Sequence, residues 1–148
     1  MTMIFKYKEI DRPNDKKVLC PSIPVTLIGK ETFDMTCILD SGADVSAISK
    51  EMAEVLGLNV HSKTEKIYGV GGPIEAIKSQ MIAIIEKGHE RYQSKIPVYI
   101  IIREFNFPPL LDRTGFFREF EIAIKEKKLR IELKKLSDSE YKSTATSR

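Results

Sequence analysis

Residues 37–49 carry the arrangement best suited to chemistry. Ile38 and Leu39 read as the end of an apolar strand, and Asp40-Ser41-Gly42-Ala43 then turns the chain sharply. This order delivers a carboxylate at a strand end, beside a hydroxyl and beside a residue with no side chain. Gly42 lets another backbone or a ligand approach closely. Ser41 can hydrogen-bond across to a neighbouring loop. Two plainer readings fit the same residues. One is a strand ending in an Asx-type turn. The other is a regulatory phosphorylation motif of the Asp-Ser-Gly kind, against which the apolar flanks predict burial.

Two later stretches add to this. Tyr68-Gly69-Val70-Gly71-Gly72-Pro73 sets three glycines around one valine, between extended segments. It has no Lys-Ser/Thr ending and no following helix, so it is not a phosphate loop. It reads either as a surface turn or as a lid that closes over a cleft and excludes water. Leu110-Leu111-Asp112-Arg113-Thr114-Gly115 ends an apolar strand on a charged pair and leads into Phe116, Phe117 and Phe120. The aromatic residues read as core. The run echoes Ile38-Leu39-Asp40-Ser41-Gly42, since both go apolar-apolar-Asp toward a glycine. Neither His61 nor His89 sits beside a nucleophile elbow, so no hydrolytic triad is present.

The elements that must position these residues follow from periodicity and punctuation. Strands are predicted at 3–9, 18–28, 32–39, 74–86, 92–102, 120–125 and 129–133. Pro21 and Pro24 point to an edge position, and hairpins turn at Lys87-Gly88-His89 and Glu126-Lys127-Lys128. Arg12-Pro13-Asn14-Asp15 reads as a turn. That many short strands imply a mainly β fold with a closed or sandwiched sheet. A short helix is predicted after the Ser49 N-cap, ending at Gly57, with Met52, Val55 and Leu56 on one face. A second is expected at 114–119.

The chain has 148 residues, of which 42% are apolar, enough for one domain with a real core. Its 24 basic and 21 acidic residues leave a net charge of +3, too balanced to imply nucleic acid or an anionic membrane surface. No apolar run is long enough to span a bilayer, and residues 1–15 lack a signal-peptide pattern. A soluble, cytoplasmic protein is therefore expected. Only Cys20 and Cys37 are present, which rules out a disulfide scaffold. Without a CxxC, a zinc site is not expected, and no other metal or cofactor is implied. Residues 1–136 read as the folded domain and 137–148 as a polar, Ser/Thr-rich, disordered tail.

Taken in order, the three stretches resemble the retropepsin-like aspartic proteases, and in particular their cellular and prokaryotic branches. The family pattern is apolar-apolar-Asp-Ser/Thr-Gly-Ala, then a glycine-rich flap, then apolar-apolar-Gly-Arg. Here these are Ile38 to Ala43, Gly69 to Gly72, and Leu110 to Arg113. The likeness runs from about Val18 to Leu136. It implies a closed, barrel-like acid-protease fold with one or two short helices.

It further implies a homodimer that cleaves extended peptides with one Asp40 from each subunit. A single Asp-Ser-Gly supplies half of the carboxylate dyad this chemistry needs. By the same resemblance, Ser41 cross-links the two catalytic loops and Gly42 faces the substrate backbone. Ile38, Ala43, Val70 and Leu110 contact substrate, and Tyr68, Gly69, Val70 and Gly71 belong to the flap. Asp44 lies near the substrate main chain and pairs with Arg113 in a charge-assisted contact. The sequence departs from the family at Asp112, where relatives have glycine. That departure keeps open a second reading, a non-catalytic dimer that binds peptides or proteins.

Overall fold

In this computed structural model, residues 1–137 are described except Pro13 and Asp15. Most of the polar tail, 138–148, and part of the expected turn at 12–15 therefore lie outside the described residues. The chain runs β1 (Thr2–Lys6), β2 (Lys8–Arg12), β3 (Lys16–Cys20), β4 (Ser22–Ile28), β5 (Thr32–Leu39), β6 (Ser46–Ser49) and α1 (Lys50–Val55). It continues β7 (Glu65–Gly69), β8 (Gly72–Lys87), β9 (Glu90–Ile101), β10 (Leu110–Leu111), β11 (Phe120–Lys125) and β12 (Arg130–Lys135).

Seven strands form one sheet in the order β4-β5-β10-β6-β9-β8-β7, and β8 also pairs back onto β4. The sheet thus closes on itself, with β7 left outside the ring. Closure removes the exposed edges that an open sheet would carry. A three-stranded sheet, β1-β12-β11, and a two-stranded ribbon, β2-β3, complete the described fold.

The strands expected at 32–39 and 120–125 form with those bounds, and β8 runs longer than expected, but local chemistry interrupts the first two predicted strands. The segment 3–9 breaks at Tyr7. Its N–H still donates to the Leu129 carbonyl, one step past the last β1–β12 pair, and its hydroxyl donates to Glu126 Oε2 at 2.6 Å, but from Lys8 onward the chain pairs with β3. The segment 18–28 breaks at Pro21, where the buried Ser22 hydroxyl donates to the Cys20 carbonyl and accepts the Lys8 N–H. Pro24 pairs with Thr36 on β5, while β8 meets β4 only at Thr26 to Ile28. Its missing N–H therefore falls where β4 has one neighbour.

The helix forms as its cap predicts. The Ser49 side chain accepts the Met52 N–H, and Gly57 beyond the end has φ +71°. One expected face differs: Val55 is exposed, and Ala53 is buried with Met52 and Leu56 instead. The expected helix at 114–119 is a turn followed by one 3₁₀ turn, Phe117–Glu119. The N–H groups of Phe116 and Phe117 both reach the Asp112 carbonyl, and buried Phe116 and Phe120 draw the chain into β11.

The core lies inside the closed sheet. Ile23, Leu27, Cys37, Ile48, Leu56, Ile96, Ile100 and Leu111 are fully buried in it, with Phe116 beside them. Each large apolar side chain buried this way contributes about 1.5–3 kcal/mol. Burial pushes the Cys37 thiol pKa well above its ordinary value, which fits an inert packing residue. Among the described residues, no helix is long and apolar enough to cross a membrane.

Candidate active site

Asp40 is the first residue beyond β5. Its position is set by a two-residue strand from far along the chain. β10 lies parallel to β5, with Leu110 opposite Ile38 and Leu111 opposite Leu39, and antiparallel to β6, with Leu110 opposite Ala47. Alternation sends Leu39 and Leu111 into the core and leaves Ile38 and Leu110 half-buried on the other side. The ladder runs on into the turn: the Ile38 N–H donates to Pro109 O, and the Asp40 N–H to Leu111 O at 3.0 Å.

The turn then closes on the carboxylate. The Gly42 N–H donates to Asp40 Oδ1 at 3.0 Å, and the Ala43 N–H to the Asp40 carbonyl at 3.2 Å. A Cβ on Gly42 would stand 3.4 Å from Asp40 Oδ1, in contact with the carboxylate. Asp40 itself is half-buried, while Ser41 and Gly42 are exposed. This leaves a carboxylate held by one backbone donor and open to water on its remaining side. A group so placed can exchange protons with a bound water or substrate.

The segment after β10 grips the other side of this loop. The Arg113 N–H donates to Ala43 O at 3.0 Å, and the Arg113 guanidinium donates to Asp44 Oδ1. Both side chains of that pair are more than half exposed, so in this protomer the contact is a surface ion pair. The Thr114 hydroxyl lies 2.6 Å from the Asp44 carbonyl and 2.8 Å from Asp112 Oδ2.

Asp112 is only 3% exposed. Its Oδ1 accepts the Ser46 hydroxyl at 2.7 Å and the Phe116 N–H at 3.2 Å, and its Oδ2 accepts the Gly115 N–H at 2.9 Å. The Ser46 oxygen in turn accepts the Asp112 N–H at 3.0 Å. The departure from the family glycine therefore does not disrupt the packing behind the loop. The carboxylate knots β6, β10 and the 113–116 turn together. Gly115 is required for it, because a Cβ there would fall 2.7 Å from Asp112 Oδ1.

The glycine-rich stretch forms the tip of the β7–β8 hairpin, with Gly69 opposite Gly72. Tyr68 and Val70 stand out in solvent. The left-handed residue of the tip is Gly72, at φ +97°; Gly71 is not in that region. At the hairpin's base, Ile67 and Ile74 pack with Ala47, Ala76, Ile101 and Leu110 in a second apolar cluster. The hairpin is thereby rooted on β6 and β10, beside the Asp40 loop. The Tyr99 hydroxyl donates to Glu65 Oε1 at 2.8 Å and ties β9 to the start of β7. That hydrogen bond first, and burial second, raises the Tyr99 pKa above its ordinary value.

The structure thus gathers Ile38, Asp40 to Asp44, Leu110 and Arg113 at one place, and holds Tyr68 to Gly71 on a separate arm. Sequence reasoning missed Ser46 and Thr114, whose hydroxyls anchor Asp112 and the loop, and the small apolar cluster at the β7–β8 hairpin. Only the polar pair Asp112-Arg113 beside Thr114 hinted at the first. Among the described residues, no group of three or more His, Cys, Asp or Glu is placed to hold a metal ion.

Comparison with known proteins agrees with this geometry. The family model described as aspartyl protease matches residues 23–99. A crystal structure of a retropepsin-like aspartic protease from Rickettsia conorii superposes with a TM-score of 0.56 at 17% identity, covering 90% of this chain and 92% of that one. The retroviral protease-like domain of Ddi1 from Leishmania major gives a TM-score of 0.44 at 18% identity, covering 82% of this chain and 98% of that one. EIAV protease, solved with the inhibitor HBY-793, gives 0.42 at 20% identity, over 70% of this chain and 88% of that one. No curated protein matches the chain. The fold is retropepsin-like, and, with the family model spanning both the Asp40 turn and the glycine-rich hairpin, the chain belongs to the aspartyl protease family.

Proposed function

We propose that the chain is an aspartic endopeptidase acting in the cytoplasm as a symmetric homodimer, with residues 1–136 as its catalytic domain. The observation that carries this reading is the state of Asp40: a half-buried carboxylate with one backbone donor, on a loop braced from both sides. Free Cys20 and Cys37 fit a reducing compartment.

In this reading each protomer supplies one Asp40. The two carboxylates share one proton and one water. The ionised one takes a proton from the water as it attacks the scissile carbonyl carbon, and the protonated one donates to the carbonyl oxygen. Two like charges in contact cannot both ionise cheaply, so their titrations separate, as is known for the dyads of this family. Activity then falls at high pH, when the shared proton is lost, and at low pH, when the base is protonated. Ser41, exposed beside Asp40, links the two loops. Asp44, Ile38, Ala43 and Leu110 hold an extended peptide, and Tyr68, Gly69, Val70 and Gly71 close over it. Closure removes bulk water and strengthens the field at the dyad.

Asp112 motivated the reading as a non-catalytic binding module. Its carboxylate is committed to the Ser46 hydroxyl and its own turn, so it lends that reading no support. The test is incubation of wild type and Asp40→Asn with a diverse peptide library, read by mass spectrometry. Cleavage by wild type alone supports the proposal. Equal cleavage by both, or none by either, contradicts it.

A further inference from the structure

The three-stranded sheet sets like charges side by side. In the order β1-β12-β11, Lys6 stands opposite Arg130, and Arg130 stands opposite Lys125. Residues paired in this way share a face of the sheet. Lys6, Arg130 and Lys125 therefore form one row across three strands, about 10 Å from end to end. The opposite face sends Met3, Phe5, Ile131 and Leu133 into the core, so the row lies on the outer face.

Like charges directly opposite one another destabilise a sheet. One carboxylate relieves this row: Glu132 Oε2 lies 2.8 Å from Lys125 Nζ and 2.9 Å from Arg130 Nη2. The Arg130 Nε donor has no partner, and the exposed Lys6 has no ion pair among the described residues. The neighbouring charges do not cancel the row. Lys134 stands opposite Glu121, and Lys135 holds Glu119 at 2.7 Å, so those four balance. Lys127 and Lys128, exposed in the turn that joins β11 to β12, have one carboxylate beside them, Glu126. With Glu126 and Glu132 both counted as charged, the row and its turn keep an excess of three positive charges, equal to the net charge of the whole chain.

Charge complementarity calls for an acidic partner, and the shape of the row selects its kind. A nucleic-acid duplex or a bilayer surface is broad, and would press phosphates onto Glu121 and Glu132 as well as onto the row. A single extended chain is narrow enough to follow the row. Ile4, on the same face of β1 and 46% exposed, offers it an apolar contact. We propose that this face docks an acidic stretch of a second protein, with apolar residues set among its carboxylates. The proposal does not depend on Asp40 or on peptide hydrolysis.

The probes are short fluorescent peptides repeating Glu-Glu-Leu, Gln-Gln-Leu or Lys-Lys-Leu, followed by anisotropy. The full chain carries Asp40→Asn, so that hydrolysis cannot consume them. The Glu peptide should bind about tenfold more tightly than the Gln peptide, as several exposed charge contacts allow, and the Lys peptide most weakly. High ionic strength should erase the difference. Lys6→Glu should weaken binding of the Glu peptide about threefold to tenfold. The same variant should melt at an equal or higher temperature, because a carboxylate opposite Arg130 relieves the row. Weaker binding without a weaker fold is what a merely structural lysine would not give. Lys127→Glu/Lys128→Glu should weaken binding further. Equal binding of the Glu and Gln peptides overturns the docking surface, as does Glu-peptide binding that Lys6→Glu leaves unchanged. A lower melting temperature in Lys6→Glu contradicts the like-charge row on which the proposal stands. Tighter binding of a DNA duplex or of phosphatidylserine vesicles, abolished by Lys6→Glu, overturns the acidic protein segment and assigns the face to that polyanion.

Discussion

Asp40 and Asp112 follow the same local sequence and end the same pair of strands. Ile38-Leu39-Asp40 and Leu110-Leu111-Asp112 lie side by side, parallel and in register. Yet Asp40 is half-buried with one backbone donor on its carboxylate, whereas Asp112 is sealed in among hydroxyl and N–H donors. The strand does not make this difference; the residues after it do. Ser41-Gly42-Ala43 folds back with a single N–H on the carboxylate. Thr114-Gly115-Phe116 wraps its hydroxyl and amides around Asp112, and Ser46 closes the remaining side. The number of donors within reach separates a carboxylate free to exchange protons from one that holds a loop together.

The largest effect should come from removing the exchangeable group. Asp40→Asn should lower peptide hydrolysis by at least about 10³-fold, the upper range of general acid–base contributions. Its unfolding free energy should stay within about 0.5 kcal/mol of wild type, as for a partly exposed residue with one hydrogen bond. Kinetics and chemical denaturation on the same preparation check both. A variant that keeps its activity and loses its fold would exchange the roles assigned to the two aspartates.

Asp112→Ala should do the reverse. It strips partners from the Ser46 hydroxyl and the Gly115 N–H, and should cost about 2–4 kcal/mol in stability, since each buried group left unsatisfied costs about 1–3 kcal/mol. Specific activity should fall only with the folded fraction, as followed by circular dichroism across denaturant. A stable Asp112→Ala protein would mean that the knot does not hold the loop.

A smaller effect is expected at the flap. Gly72 has φ +97°, so Gly72→Val should strain the hairpin tip by about 1–2 kcal/mol. Gly71 is not left-handed, and a Cβ added there would meet nothing within 4 Å, so Gly71→Val should be the milder variant. Turnover should drop more than thermal stability in Gly72→Val, because the tip packs on little else. Equal losses in both would indicate that the tip is part of the core fold.

The smallest effect belongs to Asp44 and Arg113. With 58% and 72% of the Arg and Asp side chains exposed, their coupling in a double-mutant cycle of unfolding should lie below about 1 kcal/mol. A coupling of about 3–5 kcal/mol would mean that the pair is buried in the working assembly.

How much of this the sequence disclosed depended on how local the cause was. The Ser49 cap, the Gly57 exit and the Gly88 turn each act within a few residues, and all were readable. Strand breaks at Tyr7 and Pro21 were not, because the chain changes partner there, from β12 at the far end of the chain to β3 from Lys8 onward. Asp40 stood out because its small neighbours are adjacent in sequence. The burial of Asp112 was hidden, since one of its partners is Ser46, 66 positions earlier. The echo between the two Asp runs was visible. Its meaning as paired strands was not, because a two-residue strand such as β10 has no periodicity to detect.

The most direct test of the account is subunit mixing. Wild type and Asp40→Asn are co-refolded in varying proportion at constant total concentration, and peptide hydrolysis is measured. If each active site needs one Asp40 from each protomer, mixed dimers are inactive and activity follows the square of the wild-type fraction, so an equal mixture retains about one quarter of wild-type activity. A linear decline, with about one half retained in the equal mixture, would place a complete active site in a single protomer and contradict the account.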